Sequence, residues 1–226
     1  ASIESDTSLT LIDAWPMPNV ATVTFSIIGA TRNVGVRNLT VQNSAASGGT
    51  LNVDRVINCF FENLRVYKNT VGGGIEINTM LDSEFRNVES SYNGNATSDH
   101  GFEMQSMKRT SFYNCSANGN AGDGFNFASA GTSESGFYSC VADGNGSDGF
   151  SLDGDRLTFI ACRAAGNDAN GFITTSTSDR VAFSSCFTID NGSDGIEVAG
   201  DDTTLFGCIL DNNDSYGINI ASTADN

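Results

Sequence analysis

The side chains best suited to chemistry are a small set of carboxylates and the single histidine of the chain. Glu76 follows a Gly-Ile dipeptide and Glu103 a Gly-Phe dipeptide, so the two acids hold equivalent places in consecutive repeats. If those repeats stack in register as neighbouring strands, the two carboxylates lie about 5 Å apart. Carboxyl pairs of retaining glycosidases have this separation, and like charges so close raise one pKa. The sequence therefore predicts a catalytic set of Glu76, Glu103, Asp54 and His100.

A neighbouring row of outward positions supplies candidates for substrate binding. Two residues beyond those acids the chain has Asn78 and Gln105, and the equivalent place in a later repeat is Asp153. Most basic residues precede residue 113, so an anionic sugar would bind the N-terminal repeats, with Arg65 and Lys68 as the nearest cations. The alternative is a solvated face whose polar residues bind nothing.

No metal or cofactor is expected from these residues. The alternative is a Ca²⁺ ion, whose preferred ligands are carboxylate and other oxygen atoms. Asp153 with Asp155 could bind it, and so could the group formed by Asp194, Asp201 and Asp202.

The candidates belong to a repeated unit of 22–27 residues. A Gly-Phe or Gly-Ile dipeptide recurs with its glycine at positions 74, 101, 124, 149, 171, 195 and 217. Three more columns share this drifting period. The first is aromatic or aliphatic: Val36, Phe61, Phe85, Phe112, Phe137, Phe159, Phe183 and Leu205. The second is apolar and smaller: Leu39, Leu64, Val88, Cys115, Cys140, Cys162, Cys186 and Cys208. The third is polar: Asn43, Asn69, Asn95, Asn120, Asn145, Asn167, Asn191 and Asn213.

A repeat of this length without helical periodicity predicts a solenoid of stacked coils, each made of short strands about 4.8 Å from the next. We predict an all-β, single-stranded, right-handed parallel β-helix of about eight coils over residues 31–226. Residues 1–30 are expected to form lead-in strands or a cap. The Asn column is expected at a bend, where amides bond one another and where Asn tolerates the left-handed conformation.

The composition limits the partners. With 27 Asp and Glu against 11 Lys and Arg, the chain carries a formal net charge of −16, which would repel nucleic-acid phosphates. No apolar run reaches the roughly 18–20 residues of a membrane span, so no membrane insertion is expected.

Five of the six cysteines occupy the smaller apolar column, which indicates buried thiols rather than a disulfide framework. Five stacked cysteines cannot all pair, and strand geometry is poor for disulfides. We expect reduced cysteines at folding, as in a protein made in a reducing compartment and later released.

Two segments resemble the repeats of mannuronan C5-epimerases. They are Asn93-Gly94-Asn95 continuing through Ser98-Asp99-His100-Gly101-Phe102, and Asn145-Gly146-Ser147-Asp148-Gly149-Phe150. The resemblance covers about residues 30–220 and extends to right-handed β-helices in general, which include pectate lyases, alginate lyases and phage tailspikes. It implies the fold, and a saccharide lying along an exposed strand face.

The catalytic pattern of the epimerases is broken in this chain. The family's Tyr-Gly-Phe-Asp-Pro-His-Glu segment is absent, and Ala128 and Ser129 stand where its acid and imidazole should be. Asp153 fits the spacing of a catalytic Asp after Asp-Gly-Phe, but His100 precedes it in the wrong order. The resemblance therefore does not imply epimerase activity.

The strand that follows the cysteine column carries a row of outward residues, one per repeat, three of which are apolar. Its positions are Thr40, Arg65, Glu89, Ser116, Val141, Arg163, Phe187 and Ile209. Val141, Phe187 and Ile209 should be exposed in a monomer, and such a stripe indicates contact with another subunit, as in a homotrimer.

Three functions fit these observations. The first is an extracellular or virion-surface module of the phage tailspike or tail-fibre kind that recognises a polysaccharide or cell-surface glycan. The second is a polysaccharide lyase, hydrolase or C5-epimerase that uses the carboxylate pair. The third is a structural shaft without a ligand. A β-helix can host all three, so the fold does not decide among them.

Overall fold

The computed structural model describes residues 25–27, 31–42 and 49–221. Within these ranges the chain is a right-handed parallel β-helix of about eight turns without any helix, which confirms the predicted fold. Correspondingly, no described segment is a helix long and apolar enough to cross a membrane.

Four parallel sheets run along the solenoid, and a turn visits them in the order A, B, C and D. Sheet A contains Phe25–Ile27, Leu51–Val53, Ile75–Ile77, Phe102–Met104, Phe125–Phe127, Phe150–Leu152, Phe172–Thr174, Ile196–Val198 and Ile218–Ile220. Sheet B contains Thr31–Arg32, Val56–Ile57, Met80–Leu81, Met107–Lys108, Thr132–Ser133 and Gly154–Asp155. Sheet C contains Gly35–Arg37, Phe60–Glu62, Glu84–Arg86, Ser111–Tyr113, Gly136–Tyr138, Thr158–Ile160, Ala182–Ser184 and Thr204–Phe206. Sheet D contains Thr40–Gln42, Arg65–Tyr67, Glu89–Ser91, Ser116–Asn118, Val141–Asp143, Arg163–Ala165, Phe187–Ile189 and Ile209–Asp211.

The start of the chain is described only in part. Strand Phe25–Ile27 pairs with Leu51–Val53 as the first rung of sheet A, so the described solenoid includes residues that the sequence assigned to the lead-in. Residues 1–24 and 28–30 lie outside the described residues, and lead-in strands there stay a prediction.

The core is built from stacks of identical inward side chains. One stack, with ring centroids 4.6–5.3 Å apart, contains Phe61, Phe85, Phe112, Phe137, Phe159 and Phe183. A second, at 4.5–4.7 Å, contains Phe102, Phe125, Phe150 and Phe172. The two stacks meet edge to face, and aromatic pairs of these kinds add about 0.5–1.5 kcal/mol each beyond the area they bury. These columns align the consecutive turns between Phe61 and Phe183.

The bends use the left-handed conformation. In one turn, Asp82 (φ 49°), Asn87 (φ 52°) and Tyr92 (φ 56°) stand before sheet C, before sheet D and after sheet D. Side chains at the bend before sheet D also bond along the axis, since the Asn87 amide donates to Asn63 at 3.2 Å. Asn is frequent at such bends because it tolerates this backbone conformation better than most residues.

A buried ladder of asparagines lies just after the third bend. Its members are Asn69, Asn93, Asn120, Asn145, Asn167, Asn191 and Asn213. Each Nδ2 donates to the Oδ1 of the next member at 2.6–3.0 Å, and each backbone N–H donates to the same oxygen at 3.0–3.4 Å. An amide both donates and accepts, so the ladder needs no water and carries no charge.

The predicted Asn column was wrong in two respects. Asn93, not Asn95, is the ladder member of its turn, and Asn95 is exposed. Every ladder residue follows the smaller apolar column by five positions, whereas Asn95 follows Val88 by seven. The left-handed residue is the one before the ladder, such as Tyr92, rather than the ladder Asn itself. Asn43 lies outside the described residues.

The cysteine column is buried as predicted. Cys115, Cys140, Cys162 and Cys186 are fully buried, and Cys208 is half-buried. Burial raises the pKa of the Cys140 thiol, whose Sγ contacts the Phe112 carbonyl oxygen at 3.6 Å. The described part of the chain contains free thiols and no disulfide; a reduced state during folding stays a prediction.

The outward row of sheet D is in register, but less exposed than predicted. Val141 and Phe187 are half-buried, and Ile209 is 53% exposed. Arg163 separates Val141 from Phe187 and pairs with Asp143. The apolar stripe is therefore interrupted by a cation.

Candidate functional site

The outer face of sheet A carries one half-buried row, with one side chain per turn. Strand pairing places these residues in direct register along the axis: Asn52, Glu76, Glu103, Asn126, Ser151, Ile173, Glu197 and Asn219. We call this row the sheet A strip. It presents carboxylate, amide and hydroxyl groups at the strand spacing of about 4.8 Å.

Glu76 and Glu103 are direct partners in neighbouring strands. The Glu76 carboxylate accepts the Gly49 backbone N–H and the Asn52 side-chain amide, both at 3.3 Å. Gly49 permits this approach, because a Cβ there would lie 2.4 Å from the Glu76 Cβ. Glu76 is therefore held against the preceding turn by two hydrogen bonds.

Glu103 has the more perturbed environment of the pair. Burial raises the pKa of Glu103, the charge of Glu76 adds to this effect, and His100 and Gln105 oppose it. Glycoside hydrolases use a carboxyl group with a raised pKa beside a second carboxyl group, so the Glu76–Glu103 pair is a candidate for this chemistry.

His100 contacts the turn that follows it. Its Nδ1 accepts the Asp123 backbone N–H at 3.0 Å and lies 3.3 Å from the Asp123 carboxylate. Accepting that N–H requires a lone pair on Nδ1, so the ring is neutral in this arrangement and carries its proton on Nε2.

The second outward row is partly joined to the strip. Asp54 pairs with Arg55 at 3.0 Å, so its charge is compensated. The Asn78 amide donates to Asn52 at 3.4 Å. The structure thus groups Glu76, Glu103, His100, Asn78 and Gln105 near one another, with Asp54 at the N-terminal end of the second row.

Three predicted binding residues lie elsewhere. Arg65 is on sheet D, where it pairs with Glu89 at 2.8 Å and stacks on Tyr67. Lys68 occupies the bend that follows, 5.9 Å from the centre of the Tyr67 ring. Asp153 lies two turns beyond Glu103 and accepts the hydroxyls of Thr175 and Thr177 at 3.2 and 2.5 Å.

An acid column along the leading edge of sheet A was missed from the sequence. It consists of the residues before the repeated glycine: His100, Asp123, Asp148, Asn170 and Asp194. Each side chain accepts the backbone N–H of the equivalent residue one turn later at 2.8–3.0 Å. Every member has an acceptor atom, which is the signal that could have revealed the column.

The pKa values of two aspartates in this acid column are shifted in opposite directions. Burial raises the pKa of Asp148 to about 6, and the charges of Asp123 and Glu197 contribute in the same sense. Burial also acts on Asp194, but hydrogen bonds from the Tyr216 N–H and the Asn219 amide outweigh it and lower its pKa. Asp148 is therefore, besides Glu103, a second carboxyl group of this face whose pKa is raised.

The residues considered for Ca²⁺ do not converge. Asp194 belongs to the leading edge of sheet A, whereas Asp155 lies in sheet B and Asp201 bridges to Asp179 beyond it. Among residues 31–42 and 49–221, no group of three or more His, Cys, Asp or Glu side chains is arranged to hold a metal ion.

A shallow depression of about 520 Å³ lies at the corner between sheets B and C. It is lined by Asn58, Cys59, Phe60, Asp82, Ser83, Glu84, Arg109 and Ser111. It contains the Asp82–Arg109 ion pair and none of the predicted site residues. Glu76 and Glu103 lie outside this depression, on the open outer face of sheet A.

Comparison with known proteins agrees with this architecture. The family model described as right handed beta helix region matches residues 26–187 and 130–226. The pectate lyase Pel9A is similar in structure, with a TM-score of 0.61 and 17% identity over 90% of this chain and 59% of its own. The tailspike of an Acinetobacter phage gives a TM-score of 0.52 and 14% identity over 71% of this chain and 31% of its own. This chain thus spans less than two thirds of either protein. No curated protein matches the sequence.

Proposed function

Because the chain belongs to the right handed beta helix family, we propose that it recognises a polysaccharide lying along the outer face of sheet A. The observation that carries this proposal is the part of the sheet A strip from Asn52 to Ser151, where hydrogen-bonding side chains stand in register on five consecutive turns. A linear polymer of similar units suits such a row, since successive sugars meet successive turns. The fold likeness to a pectate lyase and a phage tailspike is compatible with a glycan ligand but does not decide the function.

We propose Asn52, Glu76, Glu103, Asn126 and Gln105 as the contacting residues. Amides and carboxylates offer donors and acceptors that can match pairs of sugar hydroxyls. Arg65, Lys68 and Asp153 are not part of this set, because they lie on another sheet or two turns away and are engaged by their own neighbours.

Binding to a panel of bacterial and algal polysaccharides tests this proposal. Asn126→Ala should weaken binding of the selected polymer about tenfold, the loss expected for one or two hydrogen bonds. Ser184→Ala, on the outer face of sheet C, is the matched control and should bind unchanged. Equal binding by both variants would rule out the sheet A strip as the binding face.

The proposed setting is an extracellular or virion-surface module of the tailspike kind, assembled as a homotrimer through Val141, Phe187 and Ile209. The exposed Ile209 beside the half-buried Phe187 supports contact between subunits. Light scattering should give three times the chain mass, and Ile209→Asp should reduce it to that of the monomer. A monomeric parent protein would refute the trimer without affecting the glycan site.

A polysaccharide lyase, hydrolase or C5-epimerase is the second candidate, supported by the Glu76–Glu103 pair. In a hydrolase, Glu103 would protonate the leaving oxygen while Glu76 attacks or assists, with Asp54 and His100 supporting them. Incubation should then shorten or epimerise one polysaccharide, and Glu103→Gln should abolish the product while binding persists. Polymers left intact by the parent protein would retire this candidate and leave recognition or a structural shaft.

A further inference from the structure

Two tyrosines on the outer face of sheet C stack on one another. Tyr113 and Tyr138 are direct partners in neighbouring strands, their ring centroids lie 4.8 Å apart, and the ring planes differ by 13°. All five tyrosines of the chain lie within the described residues. The other three, Tyr67, Tyr92 and Tyr216, stack on no tyrosine there, so this pair has a geometry that no other tyrosine shares.

The neighbours of the two rings hold them in place. A Cβ at Gly136 would lie 2.6 Å from the phenolic oxygen of Tyr138, so only a glycine lets this ring lie so close to the strand. On the other side of the pair, the Arg86 guanidinium lies 4.4 Å from the centre of the Tyr113 ring, and Glu84 holds Arg86 through an ion pair. The rings are thus kept parallel, yet both tyrosines are only half-buried and remain accessible to a reagent in solution.

The sulfur side chains that compete with tyrosine for an oxidant are sheltered in the described part of the chain. Met80, Met104 and Met107 are at most 2% exposed there. The cysteine column is fully buried apart from the half-buried Cys208, and burial raises the pKa of the Cys140 thiol. Oxidation of methionine and cysteine follows exposure and thiolate character, so these groups react slowly and leave the half-buried tyrosines as targets.

We propose that Tyr113 and Tyr138 form an oxidative modification site, at which a peroxide and a haem peroxidase join two consecutive turns through a dityrosine bond. The bond closes one turn of the solenoid into a covalent loop. A cross-link of this kind restricts the unfolded chain and so stabilises the folded one. The site lies on sheet C and is independent of the glycan face on sheet A.

The reaction begins when each phenol loses one electron and its phenolic proton, which leaves two phenoxyl radicals. The unpaired electron of each radical is shared with the ring carbon Cε, next to the carbon that carries the oxygen. Because the rings are already neighbours in register, rotation of the two side chains brings one Cε against the other. A carbon–carbon bond then forms between them, and the hydrogen on each bonded carbon moves as a proton to its phenolic oxygen. Hydrogen peroxide takes up the two electrons and two protons and is reduced to two molecules of water.

The experiment treats the full chain with hydrogen peroxide and a haem peroxidase, then follows dityrosine fluorescence and maps the linked peptides by mass spectrometry. We expect a peptide pair that contains Tyr113 and Tyr138 and has lost two hydrogen atoms, with a yield per chain that does not change when the protein is diluted. Tyr113→Phe keeps a ring in the stack and should abolish this link. The matched control Tyr92→Phe removes a tyrosine that is 60% exposed and should leave the link intact.

Two further measurements separate this site from indiscriminate oxidation. The same treatment in urea should give no link between Tyr113 and Tyr138, because the stack exists only in the folded chain. The treated parent protein should then unfold at a higher urea concentration than treated Tyr113→Phe.

Three results would overturn the proposal. The first is a yield that falls with dilution, which would mean that exposed tyrosines of different chains react. The second is an equal yield of the link in urea, which would mean that the stack plays no part. The third is an unchanged unfolding midpoint in the linked protein, which would mean that the bond does not stabilise the two turns.

Discussion

The asparagine ladder and the acid column run side by side along the turn from sheet D to sheet A. They differ in how completely their side chains are hydrogen-bonded within the column. Ladder amides from Asn69 to Asn191 are at most 2% exposed and satisfy one another completely. The acid column also bonds turn to turn, but its members differ in type: three are aspartates, whereas His100 accepts with a ring nitrogen and Asn170 with an amide oxygen. The comparison teaches that the uniform amide column bonds mainly to itself and the backbone, whereas the acid column beside it also brings ionisable groups to the edge of sheet A.

The largest effect is expected from breaking the ladder. Asn93→Ala should lower the free energy of unfolding by about 3 kcal/mol, because Asn69 and Asn120 lose partners in a buried site. Asn95→Ala, in the same turn, should change it by less than about 0.5 kcal/mol since Asn95 is exposed. Urea unfolding of the two variants measures the difference. Equal effects would mean that the ladder does not stabilise this turn.

A smaller effect should follow from adding one carbon beside the ladder. In Gly124→Ala the new Cβ would lie 2.7 Å from the Gly149 oxygen and 2.9 Å from the Asn145 amide nitrogen, which predicts a loss of about 2 kcal/mol. Gly144→Ala meets nothing within 4 Å and should cost only about 1 kcal/mol for its positive φ. Thermal unfolding ranks the two. A Gly144 variant that is the less stable would contradict the close packing.

The pH dependence of the free energy of unfolding distinguishes the acid column from the ladder, because the ladder amides do not titrate. The pKa of Asp148 is raised from 3.8 to about 6, so the folded state holds this proton more tightly and loses stability as pH rises through that interval. Asp148→Asn keeps an acceptor for the Asn170 N–H and should gain about 2 kcal/mol above pH 6, with little change near pH 4. Free energies of unfolding across that range test this.

Asp194→Asn should change the pH dependence of stability in the opposite direction. Because the pKa of Asp194 is lowered, its ionised form stabilises the folded protein above the ordinary value of 3.8, and this contribution disappears as the pH falls. The variant should therefore lose stability near neutral pH and differ least in acid. The same pH trend in both variants would contradict the assigned environments.

The sequence predicted the fold and the register of the strip because both rest on columns of repeated residue types. Phe137 or Cys140 can be aligned with its neighbours by identity alone, and strand pairing then places Glu76 beside Glu103. The site itself was only partly predictable. The acid column escaped notice because its members change type from turn to turn, and Asn95 was chosen over Asn93 because the turn from residue 92 to 100 holds additional residues.

The sequence pattern also could not predict which charged residues form ion pairs. Arg65 was considered for an anionic sugar because it is a cation in the N-terminal half. Its guanidinium instead pairs with Glu89, one turn further along sheet D. Which charges are compensated depends on side-chain contacts across turns, and these decide the character of a face.

The most direct test of the central claim is a titration of the backbone amide NMR signals with the polysaccharide selected from the panel. Shifts confined to residues 75–78, 102–105 and 125–128 would place the polymer on the sheet A strip, as we predict. Shifts in strands Glu84–Arg86 and Ser111–Tyr113 of sheet C instead, with sheet A unchanged, would contradict it.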